Sequence, residues 1–239
     1  MTSRGRDLGM SVLVLAKAPV PGLAKTRLGA HIGAAAAADI AAAAMLDLLQ
    51  MLQRDRRRTL VALTGDLSIS ARQHDIKDVL AECTVFDQVD GSFAERLVHA
   101  HSRAQELAPG PLLQIGTDTP QLDSALLRAA EDGLATHPAV LGPAADGGWW
   151  ALGLHSAAPA TALLGVGMST ATTGADTERS LLATGLVGDV VGQLATLRDV
   201  DEWNDALEVA ARLSGSHFAA AVADCYESGN QCIRGPATT

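Results

Sequence analysis

Along most of the 239 residues, short apolar runs alternate with longer stretches of helical periodicity. "SVLVLA" (residues 11–16) is almost wholly apolar and runs into a proline-containing turn, the pattern of a strand buried on both faces. Residues 59–64 ("TLVALT"), 84–86, 111–116 ("PLLQIG"), 139–143 ("AVLGP"), 147–154 ("GGWWALGL") and 193–200 ("QLATLRDV") read as further strands. Between them lie predicted helices. One covers residues 33–53, with Ile40, Leu48 and Leu52 at helical spacing, and another lies around residues 70–80. An amphipathic helix over residues 92–107 puts Phe93, Leu97, Ala100 and Ala104 on one face. Others cover residues 124–137, 176–185, about 203–213 and 217–226. Strands joined through helices need crossover connections, so the expected fold is α/β, with a mostly parallel sheet and helices on both faces. No repeat or linker divides the chain. One domain is expected over residues 11–213, after a loose leader (1–10) and before a C-terminal helix and frayed tail (214–239). In open sheets of this kind ligands bind beyond the carboxyl ends of the strands, which singles out the residues that follow each run.

Composition narrows the partners. Hydrophobic residues are 48% of the chain but aromatics only 3%, so the core is built of Ala, Leu and Val. A formal net charge of −9 disfavours binding to nucleic acid or an anionic membrane, and makes any local cluster of cations more informative. Cys83, Cys225 and Cys232 form no CxxC pair, which argues against a zinc site or a disulfide framework and for a reduced cytoplasmic setting. The longest apolar stretch is an alanine-rich helix interrupted by Asp39 and Asp47, and "MTSRGRDLGM" has no apolar core of the kind a signal peptide needs.

Four strand ends carry unusual residues. The first run leads into "AKAPVPGLAKTRL", where two prolines stiffen the loop, Gly22 lets it turn, and Lys17, Lys25 and Arg27 gather three cations. Such a set suits phosphate oxygens, Arg27 offering a fork of donors; a basic surface loop would look the same. Lys25-Thr26 also end a near-copy of the GxxxxGK[ST] phosphate loop, but its glycine positions hold Pro19 and Ala24, so that motif is rejected. In "IGTDTP", Asp118 stands just past a buried strand, placed either for a hard cation such as Mg²⁺ or as a cap for the helix starting near Asp123. In "LRDVD", Asp199 and Asp201 fall on one face of an extended strand and want a cation, donors or water; the other reading is that Asp201 caps the next helix. "GPAADGGWWALGL" holds Asp146-Gly147-Gly148, a tight-turn signal, or else glycines that keep side chains off a ligand faced by Asp146 and the tryptophans. "DGSFAERL" adds Gly91, Glu95 and Arg96 at a helix start, where both charges could simply be solvated.

Taken together, "LAKAPVPGLAKTRL", "GSFAERL", "IGTDTPQL", "GPAADGGWWALGL" and "LRDVD" resemble, in order and spacing, a bacterial family of GT-A-like transferases. Its members are usually described only as candidate glycosyltransferases or nucleotide-diphospho-sugar transferases, and it looks related to 2-phospho-lactate guanylyltransferase and, more distantly, to the molybdenum-cofactor guanylyltransferase. The likeness spans roughly residues 12–213. It implies a Rossmann-like GT-A nucleotide-binding fold with Mg²⁺ (or Mn²⁺) at the strand ends. By carry-over, Lys17, Gly22, Lys25 and Arg27 match the phosphate loop, Asp118 the metal-binding aspartate, and Asp199 and Asp201 a second acidic motif. The expected nucleotide-binding set is Ala16, Lys17, Gly22, Lys25, Thr26, Arg27 and Arg96, and the acceptor set is Asp146, Gly147, Gly148 and Trp149. The metal set is Asp118, Asp199 and Asp201, and Lys25 and Asp118 are the catalytic pair. Two segments depart from the family. "DVD" continues Glu202-Trp203-Asn204-Asp205-Ala206 instead of Thr-Pro-Glu-Asp-Leu, and Met168 stands at a Trp position.

The favoured reading is an NTP-dependent nucleotidyltransferase that joins a nucleotidyl group to a phosphorylated small-molecule acceptor and releases pyrophosphate. The alternatives are glycosyl transfer from a nucleotide sugar and nucleotide binding without turnover, the latter favoured only by the altered "DVDEWND".

Overall fold

The alternation along the chain becomes one sheet in the computed structural model, which describes residues 9–233, with side chains through 227. The strands are β1 (Ser11–Lys17), β2 (Thr59–Thr64), β3 (Thr84–Asp87), β4 (Leu112–Ile115), β5 (Ala139–Pro143), β6 (Trp149–Leu154) and β7 (Gly192–Gln193). They lie in the order β3-β2-β1-β4-β6-β5-β7. β1 pairs in parallel with β2 and β4, β2 with β3, and β5 with β7, while β6 runs antiparallel to both β4 and β5. The reversal at β6 follows from its connection: residues 144–148 are too few for a crossover, so β5 and β6 form a hairpin.

Side-chain alternation divides the core in two. Val12, Val14, Val61, Leu113 and Ile115 face one side, packed by α2 (Ala34–Arg54), α3 (Gln73–Leu80) and α5 (Ser124–Thr136). Leu13, Leu15, Leu60, Ala62 and Leu112 face the other, packed by α4 (Phe93–Leu107), a 3-10 segment (Ala158–Gly165) and α6 (Thr173–Ala183). A third cluster joins α1 (Thr26–Ile32), α2, α7 (Trp203–Ala210) and α8 (His217–Ile233) around the fully buried Phe218.

The two acidic residues of the apolar helix α2 are both used. Asp39 takes a bidentate pair from Arg72 at 2.7 Å, and Asp47 accepts from the backbone N–H groups of His217 and Phe218, capping α8 from another helix. α2 is long and apolar enough to cross a membrane, yet two thirds of its most apolar 18-residue window is buried inside the fold.

Several boundaries differ from the sequence expectations. The strand expected over residues 193–200 is only Gly192–Gln193, with a bridge at Leu197. β5 ends at Pro143, after a register shift, and the chain then leaves it, Val200 N–H donating to Asp118 O instead. Asp199 and Asp201 therefore lie on a loop, not on one face of a strand. α1 was not expected as a separate helix, and α6 starts at Thr173 rather than residue 176. Met10, placed in the leader, is a buried core residue; residues 1–8 and the tail 234–239 lie outside the described residues.

Candidate active site

The carboxyl ends of β1, β2 and β4, with the β5–β6 turn and the loop before α7, surround a cleft of about 650 Å³. β1 contributes Ala16 and Lys17, its loop contributes Lys25, Thr26 and Arg27, and β4 leads to Asp118. Arg96 comes from α4; Asp146, Gly148 and Trp149 come from the β5–β6 turn; Asp199 and Asp201 come from the loop before α7. Two expected site residues, Gly22 and Gly147, do not line the cleft. Gly22 has φ 81° with open space where a Cβ would stand, so it shapes the turn. Gly147 has φ 90°, and a Cβ there would lie 2.0 Å from Ala171 O. Its missing side chain makes room for the chain before α6, not for a ligand. Gly174 N–H donates to Gly147 O and Trp149 Nε1–H to Thr177 Oγ1, which fixes residues 168–173 as the cleft wall.

Lys25 is the centre of the site. It precedes α1 in the left-handed conformation (φ 46°), which costs a non-glycine residue about 1–2 kcal/mol. Its ammonium lies 2.7 Å from Asp118 Oδ1 and 2.8 Å from Asp201 Oδ1. The lysine side chain is 12% exposed, whereas those of Asp118 and Asp201 are 52% and 45% exposed, so the ammonium sits beneath carboxylates that stay open to solvent. Burial alone would lower the Lys25 pKa, but the two carboxylates outweigh it and hold it above the ordinary lysine value. Burial likewise pushes Asp201 up, and Lys25 with Arg27 more than reverses this. Asp199 is pushed up to about 7, first by burial, then by the charges of Asp118 and Asp146, with Lys25 opposing and Asp201 adding to the rise.

Neither carboxylate is the helix cap its sequence position also allowed. α5 is capped by Asp123, which accepts from Ala125 N–H and Leu126 N–H. α7 is capped by Glu202, with Asp205 reaching back to the Glu202 N–H. The unusual "DVDEWND" thus still starts its helix. In "GSFAERL", Glu95 and Ser92 form a capping box, so Glu95 is structural.

Among the described residues, no three His, Cys, Asp or Glu side chains converge on one point in a way that would hold a metal. The expected trio is therefore not a preformed three-carboxylate cage, because Lys25 draws Asp118 and Asp201 to itself. The donor chemistry still fits a hard cation. Asp118 and Asp201 already hold one cation, and Asp199 feels the charges of Asp118 and Asp146 and forms no ion pair among the described residues, Lys25 acting on it only through its charge. Mg²⁺ and Mn²⁺ accept oxygen donors, and Mg²⁺ needs only one or two protein carboxylates, with phosphate and water completing the shell.

The remaining cations carry no carboxylate within ion-pair distance among the described residues. Lys17 Nζ donates to Leu23 O, Arg96 Nη1 donates to Gln88 Oε1 at 3.3 Å and lies over the Phe93 ring, and Arg27 forms no ion pair. Gln88 was missed by the sequence reading, although it directly follows β3 and obeys the same strand-end rule. Its amide donates to Ala16 O and Ala62 O, tying together the ends of β1 and β2. The wall residues Ser169, Thr170 and Thr173 were missed as well, since a Thr-rich loop carries no signal beyond turn chemistry.

Several solved structures share this fold. A candidate nucleotide-diphospho-sugar transferase from Desulfovibrio desulfuricans G20 superposes with a TM-score of 0.78 at 25% identity, covering 94% of this chain and 96% of that one. A cytidylyltransferase from Leptospira borgpetersenii (TM-score 0.53, 15% identity, 97% and 99% coverage) shares the fold. So does 4-diphosphocytidyl-2C-methyl-D-erythritol synthase from Anaerococcus prevotii (TM-score 0.55, 10% identity, 85% and 98% coverage). No curated protein matches the chain. The fold is thus that of the nucleotide-diphospho-sugar transferases, as the motif resemblance implied. A family profile matches residues 45–170, which hold Asp118 and the Asp146 turn but neither Lys25 nor Asp201, and by that match the chain belongs to the uncharacterized proteins conserved in bacteria, DUF2064.

Proposed function

We propose that the protein is a nucleotide-utilising transferase that moves a nucleotidyl group from a nucleoside triphosphate to a phosphorylated small-molecule acceptor. One observation carries this reading: the Lys25 ammonium bridges Asp118 and Asp201 at a cleft edge where Lys17, Arg27 and Arg96 have no carboxylate partner among the described residues. Four cations at the mouth of one cleft in an acidic protein match the charge of a polyphosphate.

The reaction needs positioning and charge neutralisation. An acceptor oxygen forms a bond to the α-phosphorus while the bond to the β-phosphate oxygen breaks, and pyrophosphate leaves with the electron pair. An ammonium has three donors, and the two aspartates use two of those on Lys25, which leaves one for a phosphate oxygen. Arg27 and Lys17 neutralise the departing phosphates. Asp118 and Asp199 are the residues that would hold Mg²⁺ or Mn²⁺; such an ion, when bound, supplies charge neutralisation at the phosphates. Trp149 and the wall before α6 bound the space left for the acceptor.

A second reading, glycosyl transfer from a nucleotide sugar, is favoured by that wall. Asp146, Gly148, Trp149, Met168, Thr170 and Thr173 include no Lys, Arg or His, which suits a neutral sugar better than a phosphate. The released product separates the readings: pyrophosphate for the first, a nucleoside diphosphate for the second. The test is a thermal-shift screen of nucleotides and nucleotide sugars with and without Mg²⁺, followed by product analysis, because a ligand that binds only the folded state raises its melting temperature. No shift from any nucleotide under either condition would refute both readings.

A further inference from the structure

We propose that Lys25 is an electrostatic gate that makes metal binding conditional on phosphate binding; this rests on the nucleotide-transferase reading above. The ammonium contacts Asp118 and Asp201 at 2.7 and 2.8 Å, so one positive charge already offsets part of the charge of these two carboxylates before any ligand arrives. The lysine is held in place from behind. The small void beside it is lined mostly by apolar residues, Leu28, Ile40, Ala44 and Phe218 among them, with Thr117 and Asp118 itself the polar ones, so an ammonium that withdrew from the carboxylates would find no other charged partner there. Its backbone precedes α1 in the left-handed region at φ 46°.

A divalent cation that shares Asp118 must therefore approach a fixed positive charge. Like charges a few ångströms apart in a partly buried site repel, so the metal alone binds more weakly than it would to the same carboxylates without the ammonium. A polyphosphate reverses the sign. Its oxygens accept the unused Lys25 N–H and lie between the two cations, which then attract a common anion. Metal and polyphosphate each raise the affinity of the other, and by linkage the two effects are equal. Among the described residues no other cleft cation bridges these carboxylates: Arg27 acts on Asp201 only through its charge and forms no ion pair. Lys17 is tied to Leu23 O and Arg96 to Gln88, and neither touches a carboxylate. The protein accordingly takes up metal and nucleotide together and does not keep a resident ion.

The test measures Mn²⁺ binding by electron paramagnetic resonance and calorimetry, with inorganic tripolyphosphate as the probe, in the parent and in Lys25→Met. The parent is expected to bind the preformed Mn²⁺–tripolyphosphate complex at least tenfold more tightly than either component alone. Lys25→Met, with a stem of similar size and no charge, is expected to bind Mn²⁺ alone tenfold or more tightly than the parent does, and the complex less tightly. Equal or weaker Mn²⁺ binding by a folded Lys25→Met overturns the gate and makes Lys25 a scaffold for the carboxylates. Should that variant not fold, Lys25→Gln keeps a hydrogen-bond donor for the two carboxylates and removes the charge. Mn²⁺ alone should then bind about tenfold more tightly than to the parent, and unchanged or weaker binding overturns the proposal. The Mn²⁺-alone contrast involves no nucleotide. A parent that shows it but responds to no nucleotide refutes the transferase reading and leaves the gate standing.

Discussion

Replacing Asp118 by Asn separates what this residue does for the fold from what it does for a ligand. In the free protein the change weakens one of the two ion pairs of Lys25, while Asp201 remains at 2.8 Å. The Asp118 side chain is 52% exposed, so the lost pair is worth only about 0.2–1 kcal/mol. The same change removes a negative charge that faces Asp199, which stabilises by a similar small amount. The net effect on stability is within about 1 kcal/mol of zero, a melting shift of roughly 2–4 °C for a chain of this size. The effect on binding is larger. A charge-assisted contact contributes about 1.5–3 kcal/mol, so Mg²⁺-dependent nucleotide affinity should fall about tenfold to a hundredfold. The assay is a nucleotide titration of parent and variant, first with Mg²⁺ and then with excess chelator, beside thermal melts of both. If the parent binds equally well in chelator, or the variant keeps the full Mg²⁺ response, Asp118 is not a metal ligand. A melting loss near 10 °C would show that it is a structural residue instead.

Other outcomes follow from the same contacts. Lys17→Ala and Arg27→Ala should each weaken triphosphate binding by about 1.5–3 kcal/mol in calorimetry while leaving the melting temperature nearly unchanged, because neither side chain is packed in the core. Gly147→Ala should lower stability by roughly 3 kcal/mol or more in denaturant titrations, combining φ 90° with a Cβ placed 2.0 Å from Ala171 O. Gly22→Ala, with open space around it, should cost only about 1–2 kcal/mol. Asp47→Ala uncaps α8 and should cost about 1–2 kcal/mol, with faster amide exchange at His217 and Phe218. His101 is fully buried, its Nε2 3.4 Å from Gln114 Oε1, and burial lowers its pKa from 6.5 to about 4. The folded state thus resists protonation that the unfolded state accepts. Its contribution is complete above pH 6.5 and declines as pH falls toward 4, by roughly 3 kcal/mol in all. His101→Asn should flatten the stability profile across that window, and an unchanged slope would show that the imidazole is not the group responsible.

The sheet was legible because its information is local. An apolar run such as residues 11–16 declares a strand buried on both faces, and the helical spacing of Ile40, Leu48 and Leu52 declares its crossover. Strand ends then point to Lys25, Asp118 and Asp201 without any knowledge of their positions in space. What the sequence left open was which of two local roles each residue plays. Asp118 as metal ligand or helix cap, and Asp201 likewise, were both allowed on local grounds, with the metal reading favoured for Asp118, and the structure gives those cap positions to Asp123 and Glu202. Glycines were ambiguous for the same reason: the space beside Gly147 is filled by Ala171, a residue no local pattern connects with it. Asp47 read as a polar interruption of an apolar helix, and only the packing of α8 reveals it as a cap. The decisive case is Lys25, which appeared to be a free cation awaiting phosphate. Its partner Asp201 lies 176 residues away, and an ion pair across that distance exists only once the sheet has brought the ends of β1 and β4 and the loop before α7 together. Periodicity and turn chemistry act over a few residues and fix the elements. Charge pairing, close backbone approach and capping between elements act through space, and only the folded chain decides them.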